Sequence, residues 1–147
     1  MSKYKLVLFL ALSAVPLSTF VGARAQSSGM TNPTQLHDPT ALKPPADASV
    51  ALIEFADLEC PDCARANPLL KEAAAKFGIP WVRHDFPLPS HTWSMNAAIN
   101  ARWFDTKSTR LGNEYRDAVF AQQISIGDSN SLRDFTEKFA RAHGMAQ

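Results

Sequence analysis

Val50-Ala51-Leu52-Ile53-Glu54-Phe55-Ala56-Asp57-Leu58-Glu59-Cys60-Pro61-Asp62-Cys63 decides how the rest of the chain is read. Its first half, Val50 to Phe55, is a nearly unbroken apolar run, the pattern of a strand covered on both faces. Asp57 to Pro61 reads as a turn into a helix. That helix starts at about Cys60 or Cys63 and runs to Phe77, with Ala64, Ala66, Leu69, Leu70, Ala73, Ala74 and Phe77 at helical spacing. Pro68 lies inside it and predicts a kink, and Gly78 follows where a left-handed residue ends a helix. Ile79 to Phe86 is a second apolar segment, with Pro80 at its start, where a missing N–H does least harm. Strand, crossover helix and strand make a right-handed βαβ unit with parallel strands.

Three helical patterns follow: Ser94 to Asp105, Asn113 to Gln123, and Ser131 to His143, the last with Ser131 as its cap. Trp81, Trp93, Trp103 and Phe104 read as packing residues. Arg110, Arg116 and Lys107 against Asp105, Glu114 and Asp117 read as a solvated helix surface. His84 reads as a structural strand residue, and His91 as a cap or support for the next helix. The fold class is α/β.

Upstream of residue 49 the chain changes character. Lys3 and Lys5 precede an apolar run from Leu6 to Leu17, and Gly22-Ala23-Arg24-Ala25 supplies a small-x-small cleavage pattern. Residues 1–25 therefore read as a secretory signal peptide cut after Ala25, which leaves no stable membrane insertion. Cleavage would remove Lys3, Lys5 and Arg24 and turn the formal charge from +1 to −2. A charge so near neutral gives no case for nucleic-acid binding. Residues 26–48, rich in proline and small polar residues, read as a flexible linker, and residues 49–147 as the folded domain. Export predicts a periplasmic or otherwise extracytoplasmic location, where a cysteine pair can rest as a disulfide.

The chain has two cysteines, Cys60 and Cys63, three apart at a helix start. At that spacing the sulfurs can bond, and Cys60 lies where helix N–H groups and the helix dipole favour an anion. Cys63, in the first turn, is the shielded, resolving thiol, and Pro61 stiffens the loop between them. The same pattern is compatible with a structural disulfide or with half of a zinc site. No second pair completes a zinc site, and His84, His91 and His143 lack finger-like spacing.

Phe55 to Cys63, followed by Arg65 and Pro68, resembles the active-site strand, loop and helix of thioredoxin-fold proteins, and most closely the DsbA-like disulfide oxidoreductases. Val82-Arg83-His84-Asp85-Phe86-Pro87-Leu88-Pro89 with His91 and an Ala-rich helix also resembles that family. The resemblance implies a thioredoxin-like fold with a helical insertion after the second strand. It implies exchange with protein thiols or disulfides and with a redox partner protein. The Cys60–Cys63 disulfide is then the redox group, with no cofactor and no metal. It further implies that Glu54, six residues before Cys60, is a buried acid passing a proton to or from Cys63. Asp62 stands where DsbA has a histidine, so an acid there disfavours a Cys60 thiolate and predicts a less oxidising pair. The family continues into a third strand introduced by a cis-proline, a fourth strand and a helix. This sequence has no proline after Pro89. The expectation is thus a partial domain lacking the C-terminal strands and helix, with a catalytically impaired binding or structural module as the alternative and a metal-binding module third.

Overall fold

A computed structural model describes residues 39–145; the proposed signal peptide and residues 26–38 of the linker lie outside the described residues. Strand β1 (Leu52–Ala56) leads into helix α1 (Pro61–Phe77) and then strand β2 (Trp81–Asp85). The two strands pair in parallel, from Leu52 opposite Trp81 to Ala56 opposite Asp85. Hydrogen bonds from Leu52 N to Pro80 O (2.9 Å) and from Phe86 N to Ala56 O (2.8 Å) extend the ladder at both ends. Helices α2 (Ser94–Asp105), α3 (Thr109–Gln122) and α4 (Ser129–Ala142) complete the chain. This is the expected α/β arrangement, four helices with a small parallel sheet.

Gly78 ends α1 at φ 61°, and Ile79 N closes the turn onto Ala74 O at 3.1 Å. Helix α1 runs through Pro68 as one element. Helix α3 begins four residues before the expected Asn113, because Ser108 Oγ accepts from Leu111 N at 3.1 Å and sets an earlier start. Helix α4 is capped by Asp128 rather than Ser131. The two form a reciprocal box, with Ser131 N donating to Asp128 Oδ1 (2.8 Å) and Asp128 N to Ser131 Oγ (3.0 Å).

The core lies between β1 and the helices, around Phe104, Tyr115, Val119 and Leu132. The Tyr115 ring centre is 4.7 Å from that of Phe104 and 5.2 Å from that of Phe139. Trp93 and Phe104 are buried as expected, whereas Trp103 is 47% exposed and lies edge-on to Phe104 beneath Lys107. The reading of both sheet faces as covered needs correction too. Glu54, Ala56, Arg83 and Asp85 face helices, while Phe55 is 41% and Phe86 56% exposed.

The charged residues read as a solvated helix surface divide: Lys107 and Arg110 are exposed, with Arg110 paired to Glu114 one turn on, whereas Arg116 turns inward. Arg116 is buried and grips Asp85 from β2 through Nε (2.8 Å) and Nη2 (2.6 Å), and Asp105 from α2 through Nη1 (2.9 Å) and Nη2 (2.8 Å). Those two carboxylates outweigh burial and keep the guanidinium firmly charged. Residues 39–42, within the stretch read as linker, form a single 3-10 turn. Its Ala41 carbonyl meets His84 Nε2 at 3.0 Å, and His84 stacks on Phe55. Among the described residues no helix is long and apolar enough to cross a membrane.

Candidate functional site

The βαβ unit places both cysteines at one end of the sheet. Cys60 is the N-cap of α1, with extended backbone (φ −79°, ψ 121°) and no capping hydrogen bond from its side chain. Pro61 occupies the first helical position, where its missing N–H costs nothing. Cys63 follows in the first turn. Both are free thiols, half-buried, and each lies within the other's electrostatic reach. Burial pushes the Cys63 thiol above its ordinary value; Cys60 and the charge of Glu54 add to that rise, and a hydrogen bond from the Asp57 backbone N–H opposes it. The inner sulfur therefore holds its proton more tightly than an ordinary thiol does. Asp62 is exposed and ion-paired with Arg65 one turn on, so its charge is partly answered before it reaches Cys60.

Glu54 is buried on β1, as the resemblance implied. Burial raises its carboxyl above the ordinary value against the pull of Arg83 and of the Trp81 indole N–H. That N–H is buried and makes no well-formed hydrogen bond, so its help to a Glu54 carboxylate is a matter of polarity at short range. Arg83, opposite Glu54 in the register, has a side chain only 3% exposed. It reaches Glu54 Oε2 through Nε at 3.3 Å, Asn67 Oδ1 at 2.7 Å and Asp117 Oδ1 at 2.8 Å, and it stacks on Trp81.

The loop before Cys60 is held by a residue that sequence reading took only as the start of a turn. Asp57 is buried, and its carboxylate accepts from Glu59 N (2.7 Å), Leu88 N (2.6 Å), Ser94 Oγ (2.6 Å) and His91 Nδ1 (2.8 Å). Burial alone would raise this carboxyl; those hydrogen bonds outweigh it and hold it below the usual range. Glu59 accepts from Trp93 N (2.7 Å) and Ser94 N (2.9 Å), the first N–H groups of α2. His91 thus supports the loop through Asp57, while Glu59 provides the cap. Gln123 Nε2 completes the frame by donating to Leu58 O (2.9 Å) and Cys60 O (3.1 Å).

Glu54 carried a signal, since a lone acid inside an apolar strand predicts burial with a partner; Arg83 carried less, because its strand also holds Asp85. Asp57 and Gln123 carried none, because their partners come from distant segments. Among the described residues no three His, Cys, Asp or Glu side chains converge as metal ligands.

This geometry, two thiols of unequal environment at a helix N-terminus above a buried acid, agrees with what comparison finds. The family model described as thioredoxin matches residues 45–146. No curated protein and no solved structure is significantly similar to the chain. The match spans well over half the sequence, from just before β1 to beyond α4, and the chain belongs to the thioredoxin family.

Proposed function

We propose that this protein is an exported, DsbA-like thiol–disulfide oxidoreductase acting on protein substrates through Cys60 and Cys63. The observation that carries the reading is the placing of two free thiols at the start of α1, the outer one at the N-cap and the inner one in the first turn with a raised proton affinity. The helix N-terminus favours negative charge on the outer sulfur, and a thiolate is the attacking species in exchange.

In the reducing direction the Cys60 thiolate attacks one sulfur of a substrate disulfide. That S–S bond breaks, a Cys60–substrate disulfide forms, and the displaced substrate thiolate leaves with the electron pair and takes up a proton. Cys63 passes its proton to Glu54 and attacks the Cys60 sulfur. The mixed disulfide breaks, the second substrate thiolate leaves, and two electrons have moved from the cysteine pair to the substrate. Run backward, the same steps oxidise a substrate dithiol. A redox partner protein resets the pair, and the Cys60–Cys63 disulfide is itself the redox group. The N-terminal signal pattern supports a periplasmic setting, where disulfide exchange has substrates.

The test is turnover of insulin disulfides by wild type, Cys60→Ser and Cys63→Ser. Cys60→Ser is expected to lose all catalysed turnover. Cys63→Ser should accumulate a covalent complex with substrate that thiol reductant releases. Equal rates in wild type and Cys60→Ser would overturn the reading and leave the pair as a local clamp.

A further inference from the structure

Beneath the thiols one buried arginine serves two carboxylates. Arg83 stands opposite Glu54 in the strand register, which would allow a two-nitrogen grip on that acid. It does not make one. Only Nε reaches Glu54, at 3.3 Å, whereas Nη1 lies 2.8 Å from Asp117 Oδ1 and Nη2 lies 2.7 Å from Asn67 Oδ1. The guanidinium leans towards α1 and α3. Asp117 is held in turn from the solvent side, where Lys71 Nζ of α1 donates to its second oxygen at 2.6 Å.

We propose that Asp117 is a positioning residue: by drawing Arg83 towards α3 it leaves the Glu54 carboxyl free to take and give a proton beside Cys63. A carboxylate gripped by a whole buried guanidinium is fixed as an anion and is a poor proton carrier. One that shares its arginine feels that charge offset by the second carboxylate, and burial then favours the proton. The charged and titratable groups around the pair are few. Glu54 is faced by Arg83 and the Trp81 N–H from β2, Asp117 from α3 and Cys63 from α1. Asp117 is faced by Arg83 from β2, Lys71 from α1 and Glu54 from β1. The inference rests on Glu54 acting as the proton carrier of the proposed exchange.

The experiment titrates Glu54 directly in the reduced full-length chain, by the carbon-13 shift of its side-chain carboxyl. Wild type is compared with Asp117→Asn and Lys71→Met. In a folded Asp117→Asn protein the Glu54 midpoint is expected to fall, with proton affinity reduced about tenfold. A midpoint that stays or rises overturns the proposal. If Asp117→Asn does not fold, the exposed Lys71→Met substitution decides: freed of Lys71, Asp117 pulls harder on Arg83, and the Glu54 midpoint rises. No rise overturns the proposal. The titration needs no substrate, so it separates from the exchange reading. A shifted midpoint in a protein without insulin turnover removes the exchange and keeps the coupling. Where turnover is present, its pH profile must move with the Glu54 midpoint; a fixed profile overturns the positioning role.

Discussion

Two buried acids near the cysteines respond to pH with opposite sign. Asp57 is held below the ordinary carboxylate value of 3.8 by four hydrogen bonds, so its stabilising effect is complete above that value. It disappears as pH falls through the lower, folded value. Asp57→Asn places an amide where only acceptors fit and leaves donors unmatched, a loss of about 2 kcal/mol at neutral pH. Urea unfolding at about pH 7 and about pH 3 checks the sign: the gap between wild type and Asp57→Asn should narrow in acid. Glu54 behaves in reverse. Its raised value means that the folded state holds the proton more tightly, so its share of stability declines as pH climbs through the folded value. The sequence placed Glu54 correctly as a buried acid, because a charge inside an apolar strand has few other fates. Asp57 escaped notice because a turn aspartate looks alike whether its carboxylate faces water or four donors.

Elements were legible where apolar period and punctuation agree. Helix α2 has the expected bounds, and Gly78 ends α1 as read. The start of α3 was missed although Leu111 stands four residues before Tyr115 on the same face, because Gly112 directly after it interrupts the pattern. Gly112 is there for packing. A Cβ at this position would overlap the Asp105 carboxylate and crowd the Arg116 guanidinium. That ion cluster ties β2, α2 and α3 together, and periodicity could not foresee it, since a helical-wheel count scores every arginine as outward-facing. Gly112→Ala gains helix propensity of about 1 kcal/mol but must displace a carboxylate from a buried arginine, which costs about 3 kcal/mol. Net destabilisation is expected, read as a lower urea midpoint with an unchanged slope. A variant as stable as wild type would show that Asp105 moves aside without loss, and would reduce the cluster to a surface contact.

At the scale of the whole domain, the helices among the described residues cover one side of the two-stranded sheet, and Phe55 and Phe86 on the other side are partly exposed. The apolar run from Val50 to Phe55 spoke for burial on both faces, and a hydropathy pattern cannot tell a face covered within the described residues from one that is merely apolar. Energetics can tell them apart. Phe104 is fully buried among Tyr115, Phe139 and Trp103, so Phe104→Ala should cost about 3–5 kcal/mol. Phe86, just past β2 and 56% exposed, surrenders little apolar area to water when replaced, so Phe86→Ser should change stability by less than about 1 kcal/mol. The same substitution shrinks an exposed apolar patch, and light scattering should record less self-association at equal concentration. Chemical denaturation of the two variants side by side checks the division: comparable losses would mean that the Phe86 side of the sheet is packed in solution as firmly as the helical core.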